Sequence, residues 1–303
     1  EITTRLVGSE MCIRDRNIID RLYERVEERG VVCVGLDTDI SYVPEFIKNG
    51  RSNKEAIVEF NKRIIDETFD VAACFKVQIA YYEALGIEGL EAYRDTIKYL
   101  REKGEIVIAD IKRGDIDATA KMYAKAHFEG DFEADFITVS PYMGMDSIMP
   151  YIPYIESGKK GLFSLVRTSN KGAVDIEYIK SKDGKNVYDI VGEKVLELGK
   201  PYVGECGYTP MGGVIGCTHK EEGAKIRENL KEMFFLIPGY GAQGGKAEDV
   251  ALYLRNGNGG VVNSSRGILL AYKKRNEREE NFAKCAREEA IKMRDEIRKA
   301  CEV

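Results

Sequence analysis

The 303-residue chain is predicted to form one α/β domain, a single (β/α)8 TIM barrel spanning 17–303 and including a C-terminal helix. Three observations predict it. Short apolar runs alternate with longer amphipathic segments from Asn17 onward, eight such runs occur, and no Pro/Gly/Ser-rich linker divides them. The runs lie at 31–37, 71–77, 105–112, 135–139, 161–167, 213–218, 233–238 and 260–263. A doubly wound open sheet is the competing arrangement for the same alternation.

The helical segments between them have readable ends. Ser52 with Glu55 forms a capping box ahead of Ala56, Ile57, Phe60, Ile64 and Ile65. Leu90, Tyr93, Ile97 and Leu100 form a stripe that Gly104 terminates. Val187, Ile190, Val191, Val195 and Leu198 form another, with Gly199 as its expected stop. Thr218 with Glu221 reads as a second capping box, and 250–254 as a short helix. The charged segment 276–301 spaces Phe282, Ala286, Ile291 and Ile297 so that one face packs on the body. The stretch 168–186 is long and polar, a surface excursion. Residues 1–16 have neither a signal-peptide core nor a helical stripe, and 8–16 resembles translated adaptor sequence; this extension is expected to be non-native and poorly ordered.

Composition narrows the function. A net charge of −5 offers no global attraction to nucleic acid or to an anionic membrane, so any phosphate must be captured locally. No apolar run approaches the roughly 18–20 residues that span a bilayer. Seven cysteines lie scattered without a CxxC pair; Cys33, Cys74 and Cys217 fall in apolar runs as small buried thiols, which suits a reducing cytoplasm. His127 and His219 are the only histidines, which excludes a histidine-rich metal site, and both read as structural.

In a barrel the C-terminal ends of the strands converge on one mouth, and the polar clusters of this chain fall there. The third run ends in Asp110-Ile111-Lys112-Arg113-Gly114-Asp115. Alternation sets Asp110 and Lys112 side by side, Gly114 permits a turn, and Lys112 stands between the carboxylates of Asp110 and Asp115. Lys76 ends the neighbouring strand, so two aspartates and two lysines can hold one another ionised. After the seventh run, 238–245 is glycine-rich, with Gln243 as a side-chain donor, and Ser265-Arg266-Gly267 follows the eighth. Loops after strands seven and eight are where barrels of this kind hold phosphate.

These motifs resemble those of orotidine 5′-phosphate decarboxylases, in the longer bacterial form of that family. The resemblance is carried by 109–116 with Thr119, Phe75-Lys76-Val77-Gln78, Ser140-Pro141-Tyr142-Met143-Gly144, 166–170, 237–245 and 263–267, in order from Asn17 to the C-terminal helix. It implies decarboxylation of orotidine 5′-monophosphate to UMP and CO2 with no metal or organic cofactor. Lys112 would protonate C6, Asp110 would lie against the departing carboxylate, and Lys76 would complete the charged row. Asp37 would hold a ribose hydroxyl and Ser169 would read the pyrimidine. Gln243 and Arg266 would hold the phosphate, with Pro238, Gly239 and Ser265 among the substrate-binding positions. The resemblance also implies a homodimer in which Asp115, accompanied by Ile116 and Thr119, enters the partner's site. Two other readings share parts of the pattern. Related barrels carry a similar Asp-x-Lys strand but use Mg²⁺ to stabilise an enediolate. A silent phosphate-binding barrel would keep Gln243 and Arg266 but has no reason to keep Asp110, Lys112 and Asp115 together.

Overall fold

The computed structural model describes residues 17–217, 220–241 and 244–302. The expectations on residues 1–16, on the Thr218 cap, on His219 and on Gln243 lie outside the described residues. Eight strands form a closed parallel barrel in sequence order: β1 (Val32–Leu36), β2 (Cys74–Gln78), β3 (Val107–Arg113), β4 (Phe136–Val139), β5 (Gly161–Arg167), β6 (Thr209–Ile215), β7 (Met233–Ile237) and β8 (Gly260–Ser264). Pairing of Val32 with Val262 and Cys33 with Asn263 closes the ring, so the open sheet is excluded.

β5 has the bounds its sequence suggests, whereas β6 begins four residues before the expected Gly213. Thr209 N donates to Glu232 O, which starts the pairing ahead of Pro210. Adjacent glycines then hide the strand's apolar rhythm. Gly212 is required by packing, because a Cβ there would stand 2.6 Å from the Phe163 ring.

The helices close their ends much as the sequence suggests. In the helix Asn53–Thr68, Glu55 N donates to Ser52 Oγ (3.2 Å) and Ser52 N to Glu55 Oε2 (2.9 Å). Gly199 ends its helix, as expected. It is the last residue of the helix Val187–Gly199 with an ordinary helical φ of −82°, and the chain tightens into a 3-10 turn, Lys200–Tyr202. A side chain at 199 would stand 2.2 Å from Thr209 Oγ1, so the glycine serves packing against β6 and not a left-handed stop. The short helix lies at Ala247–Ala251, started where Lys246 N donates to Asp249 Oδ2, and the last helix is Phe282–Cys301. The last helix buries Phe282, Ala286 and Ile297, and Phe282 stacks on Phe60 at 4.7 Å, tying it to the helix Asn53–Thr68.

Cys33, Cys74 and Cys217 are buried as free thiols. Tyr82 and Tyr151 lie in the core, and Tyr81 and Tyr154 pack against it. Among the described residues no helix is long and apolar enough to cross a membrane.

Candidate active site at the barrel mouth

The strand ends surround a cavity of about 450 Å³ whose lining comes from β1 to β8 or the loops that follow them. Leu165, Val214 and Leu236 make its apolar part; charged and polar groups stand around them.

Asp110 is the centre of one side. It is 6 % exposed, and both oxygens are saturated. Oδ2 accepts from Lys76 Nζ (2.8 Å) and Gln78 Nε2 (2.8 Å); Oδ1 accepts from Lys112 Nζ (2.6 Å) and Thr138 Oγ1 (2.9 Å). Four donors on one carboxylate leave it no freedom to rotate. Burial would raise its pKa, but the charges of Lys76 and Lys112 outweigh burial and hold the group well below the usual carboxylate range. Lys76 is its counterpart. Burial would lower the ammonium's pKa, yet Asp110 and then Asp37, at 3.2 Å, raise it above the ordinary lysine value. Both groups are therefore ionised at neutral pH. Lys112 differs in one respect: 47 % of its side chain remains exposed, at the cavity.

Two sequence expectations need correction. The lysine between two carboxylates is Lys76, held by Asp110 and Asp37, and not Lys112. Asp115 stays out of the cluster and uses Oδ1 to accept its own neighbour's Ile116 N (2.9 Å). Gly114 opens the connection between β3 and the helix Asp117–Phe128, and the left-handed residues are Lys112, inside the strand, and Asp117, each at φ 45°. A Cβ at Gly114 would make a tight contact of 3.1 Å with Ser140 O. β3 ends at Arg113, so Asp115 lies beyond the strand and away from Asp110. Asp115, Ile116 and Thr119 do not line the cavity; Ile116, the N-cap of the helix Asp117–Phe128, and Thr119 in its first turn are exposed.

A buried polar network braces this side. Thr38 Oγ1 donates to Asn61 Oδ1 (2.7 Å), Asn61 Nδ2 donates to Tyr82 hydroxyl (2.9 Å) and Thr96 Oγ1 (3.1 Å), and Tyr82 hydroxyl donates to Leu36 O (3.1 Å). It fixes the residues flanking Asp37 to the helix that follows Lys76.

The opposite side is built from loops. Ser169 lines the cavity beside Thr168 and Asn170, and a Cβ on Gly216 would collide with Ser169 Cβ at 2.7 Å. Arg167, in the same motif, is fully buried and turned away; its guanidinium donates to the Tyr178 hydroxyl (2.8 Å) and pairs with Glu222 (3.4 Å), bracing the 168–186 excursion. Pro238, Gly239 and Tyr240 line the cavity after β7, with Gly239 at φ 101°, a conformation that favours glycine. Asn263, Ser264, Ser265 and Arg266 complete it after β8. Gly35 on β1 leaves room for Ser265, whose Oγ would stand 1.9 Å from a Cβ there.

Of the expected site residues, Asp37, Lys76, Asp110, Lys112, Ser169, Pro238, Gly239, Ser265 and Arg266 meet at one cavity. Gln78 and Thr138 were not singled out for a role. Gln78 was visible as a polar residue at the end of an apolar run, but a lone threonine in a short strand carries no such signal. His127 is structural: it is buried beside Phe132, and burial, with Arg113 second, pushes its pKa down to about 4. Among the described residues no cluster of His, Cys, Asp or Glu is arranged to hold a metal ion.

The chain is similar to known proteins along most of its length. The profile of the orotidine 5′-phosphate decarboxylase / HUMPS family matches residues 30–280. The orotidine 5′-phosphate decarboxylase of Clostridium perfringens (strain SM101) is 68 % identical over 284 residues, covering 93 % of this chain and 99 % of the relative. That of Clostridium acetobutylicum is 67 % identical over 283 residues, covering 93 % and 99 %. Among solved structures, the OMP decarboxylase of Leishmania donovani superposes with a TM-score of 0.75 at 31 % identity, covering 95 % of this chain and 99 % of that one.

Proposed function

The chain belongs to the orotidine 5′-phosphate decarboxylase family and converts orotidine 5′-monophosphate to UMP and CO2, and we propose how its own residues divide that work. Lys112 is the proton donor. As the bond from C6 to the carboxylate breaks, the electron pair stays on C6, in an orbital the ring does not delocalise. The ammonium of Lys112 stabilises that charge and then protonates the carbon; the amine regains its proton from water. Asp110 and Lys76 keep Lys112 aimed and the row ionised before substrate arrives. One observation carries this reading: the fully saturated Asp110, 2.6 Å from an ammonium that still faces the cavity.

Asp37 holds a ribose hydroxyl and Ser169 the pyrimidine edge. Arg266, Ser265, Pro238, Gly239 and Gln243 receive the phosphate, whose binding energy is available to draw the loops together over the reacting ring. The working unit is a homodimer in which Asp115, with Ile116 and Thr119, completes the partner's site. Supporting it, Ile116, Met122, Tyr142, Met143 and Met149 are exposed apolar side chains on the segments around Asp115, a surface that a second copy of this chain would cover. The compartment is the cytoplasm, in keeping with six described cysteines that are all free. Neither nucleic acid nor membrane is a partner.

The test is loss of orotidine 5′-monophosphate absorbance with purified protein, with and without EDTA. Turnover is expected in both; its absence in both refutes the assignment, and its loss with EDTA refutes metal independence. For the shared site, Lys112→Ala and Asp115→Ala proteins should each be nearly inactive and regain part of their activity after subunit exchange. Demonstrated exchange without rescue places Asp115 in its own subunit's site.

A further inference from the structure

The charged row begins where β3 stops pairing regularly. Ala109 pairs with Ile137 and Arg113 with Val139, so β3 advances four residues while β4 advances two. Thr138 stands opposite that excess, 1 % exposed. Its Oγ1 accepts from Ile111 N (3.0 Å) and from Lys112 N (2.9 Å), and its hydroxyl donates to Asp110 Oδ1 (2.9 Å). A hydroxyl has one proton and two lone pairs, and here all are committed to three consecutive residues of the neighbouring strand. Lys112 sits at φ 45°, a conformation costly for a residue with a Cβ and kept only where the surroundings impose it.

We propose that Thr138 is the positioning residue of the reaction's proton donor, its one hydroxyl both replacing the ladder partner of Ile111 and Lys112 and fixing the orientation of Asp110. The bulge leaves Lys112 on the same side of the strand as Asp110 but shifts its backbone out of regular pairing, and the bond to Asp110 holds the carboxylate at the rotation that receives Lys112 Nζ. Without the hydroxyl, two N–H groups lose their acceptor and the strand relaxes toward regular pairing, which moves the ammonium. A displacement of about 1 Å costs on the order of 10²-fold in rate. The inference rests on the reading of Lys112 as proton donor.

The test compares Thr138→Val, which keeps the shape and removes the oxygen, with Thr138→Ser, which keeps the oxygen, and with Lys112→Ala. Steady-state kinetics and UMP affinity are read for each. Thr138→Val is expected to lose on the order of 10²-fold in kcat, while UMP affinity stays within about 3-fold because the phosphate and ribose contacts lie on other strands. Thr138→Ser is expected to restore kcat to within about 5-fold of the parent. If Thr138→Val does not fold, Thr138→Cys, with its weaker acceptor, should fall between serine and the expected valine loss. A valine or cysteine protein with parental kcat, or a serine protein as impaired as valine, overturns the proposal. An inactive Lys112→Ala beside a fully active Thr138→Val refutes this inference alone; an active Lys112→Ala refutes the proton-donor reading and this inference with it.

Discussion

The two sides of the barrel mouth are built on opposite plans. On β1 to β4 the carboxylates and Lys76 are already paired: Asp37, Lys76, Asp110 and Lys112 form a continuous row, and a buried polar network clamps its base. On β7 and β8 the site offers donors on glycine-rich loops, and among the described residues no carboxylate pairs with Arg266. The difference follows from what each side meets. The reacting end must present charge that needs no reorganisation when electrons arrive at carbon, so its dipoles are fixed in advance. On the proposed assignment, the phosphate end meets a ligand that brings its own charge, and open donors serve to bind it.

Lys112→Ala strikes the fixed side hardest. It removes proton and field together and should lower kcat by about 10⁴-fold or more with little change in KM. A loss mostly in KM would mean that the row binds substrate and does not act on the transition state. Asp110→Asn comes next. It leaves two lysines facing one another near a buried amide, so both activity and fold should suffer, the latter by about 3 kcal/mol in urea unfolding. Arg266→Ala probes the open side, and there KM should rise by about 10- to 100-fold with unchanged thermal stability. Destabilisation comparable to that of Asp110→Asn would erase the contrast between the two sides.

The pH dependence of stability gives the smallest effect. The depressed pKa of Asp110 contributes stability that is present above the unfolded value near 3.9 and lost as pH falls through the folded one. The raised pKa of Lys76 contributes stability present below about 10.4 and lost as pH rises through its folded value. The row is therefore flat in stability from about pH 4 to pH 10. His127, on the helix after β3, behaves otherwise. Its pKa is pushed down to about 4, so its contribution is present above about 6.5 and is lost as pH falls toward 4. Unfolding free energies at pH 7 and pH 5 should differ in the parent and differ less in His127→Gln. An unchanged slope would assign the acid sensitivity to groups other than His127 and the row.

The amino-acid order by itself determined the eight-strand alternation and the places where polar residues end apolar runs. Both follow from local rules, periodicity and strand polarity, that need no partner to be read. That was enough to bring Asp37, Lys76, Asp110, Lys112 and Arg266 to one mouth. Tertiary structure decided which charge meets which. It set Lys76, and not Lys112, between two carboxylates, and it made Thr138 on β4 the acceptor for the backbone of β3. It also gave Lys112 a left-handed backbone within β3 and ended that strand at Arg113, so that Asp115 lies outside the row. Neighbouring strands set these contacts through register, and a bulge changes register by residues that no single strand's alternation reveals.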